Sequence, residues 1–220
     1  MSKKDFFSFE LLKKSSVSKA RAGILHTPHG DIKTPVFMPV GTHSAVKMLT
    51  NHHLRETNAQ IILANSYHLF LRPGHKLIKE VGGLHKWMNW DKPILTDSGG
   101  FQIFSLAHLR KITEDGVTFR DPKTGDKYYI NPEISMEIQQ DLGPDIAMAF
   151  DECVKYPAEK KVVQKSMERS MRWAQRSKDA FQDREGYGLF GIVQGGMFKD
   201  LREKSIQKLT EIGFDGYAIG

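Results

Sequence analysis

The sequence predicts an α/β fold of the (β/α)8 TIM-barrel type, on three observations. Short apolar runs recur six times, with helical or turn-rich stretches between them, which implies a barrel or a doubly wound sheet, and the strand-end chemistry favours the barrel. The runs are near-continuous rather than alternating, which is the pattern of parallel strands covered on both faces. Four of them close on polar or glycine-rich residues, and in such barrels the C-terminal strand ends carry the chemistry.

The six strands are expected at 35–41, 59–65, 92–97, 145–151, 188–194 and 216–220. Asn131 followed by Pro132 reads as an N-cap with proline at the first helical position. Ile134, Ile138 and Leu142 then fall at helical spacing, and Gly143-Pro144 stops the helix. The stretch 158–182 carries Val163, Met167, Met171, Ala174 and Phe181 on one stripe, against Lys165, Arg169, Arg172, Arg176 and Lys178 on the other face. The stretch 199–213 places Leu201, Leu209 and Ile212 together and ends at Gly213.

Two segments break the alternation. Gly23, Pro28, Gly30 and Pro35 among short apolar pieces predict an N-terminal antiparallel hairpin over 18–34. Residues 108–130, with a turn at 121–125, read as a second hairpin inserted after the third strand. A closed barrel takes about 250 residues. The 220 residues here end on a strand signal. The expectation is one incomplete TIM-barrel catalytic domain over 1–220, truncated after about six strands.

Composition narrows the partners. No run of about 18 apolar residues exists, so no membrane span is expected. The first ten residues lack the apolar core of a signal peptide, which places the protein in the cytoplasm. A single cysteine, Cys153, rules out an internal disulfide framework and a cysteine-rich zinc site within this stretch. The net charge of +6 fits either a solvated basic surface or a polyanionic partner such as nucleic acid.

The strand-end rule selects four segments: Asn65 to His68, Thr96 to Gln102, Asp151 to Cys153, and Gln194 to Gly196. Each alone is compatible with a capped turn or a solvated loop. Two carboxylates, one amide and two Gly-Gly pairs on consecutive strands are hard to explain by packing. A guanine edge presents two parallel N–H donors and one carbonyl. A carboxylate matches the paired donors, glycine N–H groups and a glutamine amide can serve the carbonyl, and Phe101 can stack on the ring. A second carboxylate remains for proton transfer or nucleophilic attack. His52-His53 and the pair His26/His29 lack metal-ligand spacing and read as structural. Cys153, with no paired base in view, reads as a pocket-lining thiol.

At these residues the chain resembles the bacterial branch of the tRNA-guanine transglycosylases, the queuine tRNA-ribosyltransferases. The likeness runs over essentially the whole chain. Its most specific pieces are Leu-Thr-Asp-Ser-Gly-Gly-Phe-Gln-Ile-Phe-Ser at 95–105, Lys-Ile-Thr-Glu-Asp-Gly-Val-Thr-Phe-Arg at 111–120, Phe-Asp-Glu-Cys at 150–153 with Tyr156-Pro157, Gly-Ile-Val-Gln-Gly-Gly at 191–196 and Gly-Phe-Asp-Gly-Tyr-Ala-Ile-Gly at 213–220.

The resemblance implies exchange of guanine at the anticodon wobble position of G-U-N tRNAs for 7-aminomethyl-7-deazaguanine, in queuosine biosynthesis. One aspartate attacks the ribose C1′ to form a covalent intermediate, and a second moves protons. The position matching the second is Asp97. Those matching the base site are Asp97, Ser98, Gly99, Gly100, Phe101, Asp151, Gln194 and Gly220. Phe101 stands where relatives often have tyrosine, and Cys153 fits the bacterial version. The attacking aspartate and a structural Zn2+ held by three cysteines and a histidine are implied past Gly220, so no metal ligand is expected here and this stretch alone is expected to be inactive. The family often forms homodimers. Its tRNA is matched by basic residues of 158–182 and by Arg110, Lys111, Arg120 and Lys123. The rival readings are a non-catalytic RNA-binding partner subunit, an archaeal-type relative acting elsewhere in tRNA, and a barrel enzyme for a small phosphorylated metabolite with Gln194-Gly-Gly as the phosphate grip.

Overall fold

The apolar runs become parallel strands, and what lies between and before them is richer than the sequence pattern indicates. The computed structural model describes residues 7–106, 110–182 and 184–220. It begins with three antiparallel strands: β1 (Ser8–Lys14), β2 (Arg21–Thr27) and β3 (Gly30–Thr34). The last two are the expected hairpin. β1 escapes sequence reading because it is largely exposed and has no clean alternation. Its ladder runs from Ser8 opposite His26 to Lys14 opposite Arg21. A Cβ at Gly23 would overlap the Phe9 ring, so the glycine lets that ring lie across β2.

The chain continues through β4 (Val40–Gly41), α1 (Asn51–Glu56), β5 (Ile62–Ala64), α2 (Ser66–Leu71), α3 (His75–Glu80), α4 (Leu84–Met88), β6 (Ile94–Thr96) and α5 (Gly100–Leu106). Then come β7 (Arg110–Ile112), β8 (Val117–Arg120), β9 (Lys127–Ile130), α6 (Pro132–Leu142), β10 (Ile146–Met148), α7 (Lys160–Ala180), β11 (Gly188–Val193), α8 (Lys199–Ile212) and β12 (Gly216–Ile219). Six strands form one parallel sheet in the order β12-β11-β10-β6-β5-β4. The first expected strand, 35–41, shrinks to the two residues of β4. Pro35 and Pro39 have no N–H to donate to a ladder, although the Pro39 carbonyl still accepts the Leu63 N–H at 2.9 Å.

The insertion is a three-stranded antiparallel meander, β7-β8-β9, rather than a hairpin. The stretch 112–119 contains a tight turn of its own, closed by the Thr113 N–H on the Gly116 carbonyl at 2.9 Å. Residues 108 and 109 of that expectation lie outside the described residues. Asp121 fastens the second turn, accepting the Lys123 N–H at 2.9 Å.

Two compact units divide the chain: Met1–Thr96 with Asp141–Ile146 and Asp183–Gly188, and Asp97–Gln140 with Ala147–Gln182 and Leu189–Gly220. The first buries Leu54, Ile62, Ile78, Leu84, Trp90 and Ile94. In the second, Val163, Met167, Met171 and Ala174 of α7 pack with Leu201 and Leu209 of α8. Each such burial is worth roughly 1.5–3 kcal/mol for the larger side chains. The expected α7 stripe is therefore correct, except that Phe181 is the C-cap rather than a helical residue. α6 starts as expected, with the Ile134 N–H on Asn131 Oδ1 at 2.8 Å.

α7 also anchors the meander. Arg172 forks onto Glu114, with Nη2 2.9 Å from Oε2. Arg176 reaches the Asp115 carbonyl of the meander at 3.0 Å and forks onto Glu133 of α6, with Nη2 2.7 Å from Oε2. Trp173, fully buried, donates its indole N–H to the Glu114 carbonyl at 2.7 Å and stacks on Phe150 at 5.0 Å.

Candidate active site

The site grows out of the end of β10. Beyond Ala149, whose N–H still reaches the Phe190 carbonyl of β11 at 2.9 Å, the chain leaves the sheet and its backbone groups need new partners. Serines on the buried face of α7 supply them. Ser177 Oγ accepts the Phe150 N–H at 3.1 Å, Ser170 Oγ accepts the Glu152 N–H at 3.0 Å, and Ser166 Oγ donates to the Glu152 carbonyl at 3.2 Å. This fixes Asp151 between them, 7% exposed.

The Asp151 carboxylate is the centre of the arrangement. Ser98 Oγ donates to Oδ1 at 2.8 Å, and Gln194 Nε2 donates to Oδ2 at 2.7 Å. Cys153 Sγ makes a longer contact with Oδ2 at 3.7 Å. Burial pushes the Asp151 carboxyl above the usual carboxylate range, and these donors only partly offset it. The same burial, with Asp151 beside it, pushes the Cys153 thiol up, so it is a poor source of thiolate.

Glycines make room for the carboxylate. A Cβ at Gly100 would stand 2.5 Å from the Asp151 carbonyl oxygen and 2.6 Å from Oδ1. Gly99 has φ +82°, which favours glycine. It lets the chain turn so that the Gly100 N–H reaches Ser98 Oγ at 3.2 Å. On the other side, Gly220 N–H donates to the Val193 carbonyl at 3.0 Å, and its Cβ position lies 2.8 Å from Gln194 Nε2.

The structure thus gathers Ser98, Gly100, Asp151, Gln194 and Gly220 around one carboxylate. Asp97 follows directly on β6 and is half-buried. Phe101, 60% exposed, stands on the first turn of α5 with its ring 6.4 Å from Phe104. The loops after β10 and β11 also enclose a cavity of about 110 Å³, lined by Tyr156, Pro157, Met167, Gln194, Gly195 and Met197.

The Gly195-Gly196 pair has a packing reason. A Cβ at Gly195 would meet the Arg202 N at 2.7 Å, so the glycine admits the first turn of α8. Gln194 Nε2 donates one hydrogen to Asp151, and a phosphate seated there would stand beside that carboxylate, which weighs against the phosphate-grip reading. Several basic residues read as phosphate contacts are also engaged: Arg172 and Arg176 hold Glu114 and Glu133, and Arg110 donates to the Phe104 carbonyl at 2.6 Å.

Sequence reading missed two groups here. Ser135 and Gln139 are buried polar residues of α6 whose spacing looks like any helix face. The other group is in the first unit, where His29 and His85 sit on the buried Asp145. His29 Nδ1 lies 2.8 Å from Oδ1 and His85 Nε2 3.2 Å from Oδ2, with the Ile94 N–H also on Oδ2 at 2.8 Å. Spacing could not show that His29 has an acidic partner 116 residues away. The two rings stack at 3.6 Å, 13° from parallel. One ligand atom from each of His29, His85 and Asp145 lies within 4.8 Å of the others, a spacing a metal ion could use, and the same contacts tie β6 and the two histidine segments to one buried carboxylate. Burial raises the Asp145 carboxyl, but the histidines and the Ile94 N–H outweigh it and hold it below the usual range. His26 is structural too, bonded to Asp31 at 2.7 Å.

A carboxylate held between a serine and a glutamine, walled by glycines, brings together residues of three of the strand-end segments, and comparison with known proteins gives the kind of protein. The family model described as queuine tRNA-ribosyltransferase matches residues 15–220. The chain belongs to the queuine tRNA-ribosyltransferase family. Curated relatives carrying that name include one from Acetivibrio thermocellus, 57% identical over 212 residues that make up 96% of this chain and 57% of the relative. One from Lysinibacillus sphaericus is 57% identical over 96% of this chain and 56% of its own length. One from Staphylococcus aureus is 58% identical over 97% of this chain and 56% of its own length. The chain therefore spans a little over half the length of these relatives. The zinc site that the family likeness implies needs three thiols. This chain has one cysteine, bonded towards Asp151, so its own residues do not form that site. Among the described residues, no helix is long and apolar enough to cross a membrane.

Proposed function

We propose that this chain carries the base-recognition part of a tRNA-guanine transglycosylase, built on part of a (β/α)8 barrel that forms a single catalytic domain. In this reading Asp151 binds guanine, and then 7-aminomethyl-7-deazaguanine, through the paired N1–H and N2–H of the base. Oδ1 and Oδ2 offer about four lone-pair sites between them. Ser98 and Gln194 use one each, which leaves one on each oxygen for the two base donors. The Gln194 amide has a second N–H, placed beside the carboxylate where the base O6 would lie. Phe101 covers the ring, and Gly220 brings backbone close to the same edge. Asp97, on the adjoining strand end, carries protons to the departing base and from the entering one.

The observation that carries the reading is the Gln194–Asp151–Ser98 hydrogen-bond set. It pairs a buried acceptor with an amide donor, the complement of the guanine edge. The partner is tRNA, whose wobble base leaves the stack to enter the pocket, and the full enzyme acts as a homodimer in the cytoplasm. None of these 220 residues matches the family's attacking aspartate or its structural zinc ligands, so the chain alone does not complete the exchange. The test is incorporation of radiolabelled guanine into a G-U-N tRNA by a protein of the relatives' full length carrying this sequence. Incorporation is expected, with a loss of at least ~10²-fold in Asp97→Ala, the low end for general acid–base catalysis. No incorporation by the folded protein would favour a non-catalytic RNA-binding subunit.

A further inference from the structure

Two buried polar residues of α6, Ser135 and Gln139, have no role in the base contacts above, yet they bond to the two segments that carry Ser98 and Asp151. Gln139 is 1% exposed. Its amide pairs with Met148 of β10 as a neighbouring strand would: Nε2 donates to the Met148 carbonyl at 2.9 Å, and Oε1 accepts the Met148 N–H at 2.9 Å. The second Nε2 hydrogen goes to Ser135 Oγ at 3.3 Å. Ser135, also 1% exposed, donates its hydroxyl to the Ser98 carbonyl at 3.0 Å. Ser98 Oγ accepts the Gly100 N–H and donates to Asp151 Oδ1.

The bonds give this chain a direction. Gln139 donates to Met148 and to Ser135 and accepts from Met148. Ser135 accepts from Gln139 and so points its own hydrogen at Ser98. Ser98 accepts from Gly100 and so points its hydrogen at Asp151. A fully satisfied buried network specifies one arrangement, because each broken link leaves an unpaired polar group costing ~1–3 kcal/mol. Two strand ends are fixed by it: β10 through Met148, and the segment after β6 through Ser98.

We propose that Ser135 and Gln139 are positioning residues that set the place and the acceptor direction of the Asp151 carboxylate. This rests on Asp151 being the base-binding group, and it adds that α6, which meets no substrate, decides how well that group is presented. Pre-organised acceptors owe their strength to such supporting bonds.

The test reads Asp151 directly, without ligand. Protein labelled with 13C at aspartate carboxyls is titrated by NMR, and Asp151→Asn identifies the resonance. Ser135→Ala removes one small hydroxyl and is expected to fold, with a thermal midpoint lowered by roughly 5–10 °C for the two links it breaks. Its Asp151 midpoint should rise by at least ~0.5 unit as Ser98 loosens, and its Kd for radiolabelled guanine should rise about tenfold. Gln139→Met, close in volume, should move Asp151 the same way. If Gln139→Met fails to fold, Ser135→Ala still decides. An Asp151 midpoint unchanged in folded Ser135→Ala overturns the positioning role. A shifted midpoint in a protein that binds no guanine even as wild type keeps the positioning role and removes the base-binding reading.

Discussion

Gln194 Nε2 lies 2.7 Å from Asp151 Oδ2, so two strands of one sheet meet through a side-chain hydrogen bond at their C-terminal ends. The bond has two consequences. It holds an amide hydrogen beside a carboxylate, and it partly compensates a charge that the surroundings otherwise disfavour.

That disfavoured charge predicts a trade between stability and binding at Asp151. Its folded pKa is raised, so its contribution to stability is fully present below the usual carboxylate range and is lost as pH rises through the folded value. Asp151→Asn carries no such charge. It sets an amide NH2 against the Ser98 or Gln194 donor, so its thermal midpoint should lie below the parent's on acidification, where Asp151 is neutral, and the deficit should shrink towards neutral pH, where only the parent holds the buried charge. The same variant should lose guanine binding. In the parent, guanine affinity should fall as pH drops through the Asp151 titration. Scanning calorimetry and equilibrium dialysis across pH read both.

Cys153 offers a finer check on lone-pair counting. Its thiol sits 3.7 Å from the oxygen that already accepts from Gln194. A base donor on Oδ2 must displace it. Cys153→Ala should bind guanine about as well as the parent. Cys153→Ser, a stronger donor, should compete with the base and weaken binding by roughly tenfold, the worth of one hydrogen bond to a charged group.

Gly100→Ala tests the close approach of α5 to the site. The new methyl would press on both the backbone and the carboxylate of Asp151. Overpacking of this kind costs about 1–3 kcal/mol. The urea midpoint should fall accordingly, and guanine binding should be lost because Oδ1 is displaced.

The ties of α7 to the meander and to α6 should respond to acid. Arg172 and Arg176 hold the Glu114 and Glu133 carboxyls below their usual range. Such depressed groups add stability above the usual carboxylate pKa, and it is lost as pH falls through the depressed value. Glu133→Gln should cost only ~0.2–1 kcal/mol at pH 7, since the pair is partly exposed. In urea titrations the difference from the parent should vanish as pH falls through the depressed Glu133 value.

Much of this was legible in the sequence, and the residues show why the rest was not. Parallel strands declare themselves by continuous apolar runs such as Ile-Ala-Met before Ala149, because both faces are covered. The α7 stripe is legible for the same reason. β1 is not, since an exposed strand needs no apolar pattern. The short helices α1 to α4 give too few turns for a period to show. At the site, strand-end position and residue type singled out Asp151, Gln194 and Ser98 before their contacts were known. The pair Ser135 and Gln139 was hidden because a buried serine or glutamine reads as a polar face until its partners, 37 and 9 residues away, are seen. The contacts of His29 and His85 with Asp145 were hidden for the same reason.

The most direct measurement is equilibrium dialysis of this chain against radiolabelled guanine and hypoxanthine at neutral pH. Hypoxanthine lacks the 2-amino group and so offers Asp151 one N–H where guanine offers two. Guanine should bind at least about tenfold more tightly, as expected for one lost hydrogen bond to a charged acceptor, and Asp151→Asn should bind neither. Equal binding of the two bases, or guanine binding that survives Asp151→Asn, would contradict Asp151 as the group that reads the base.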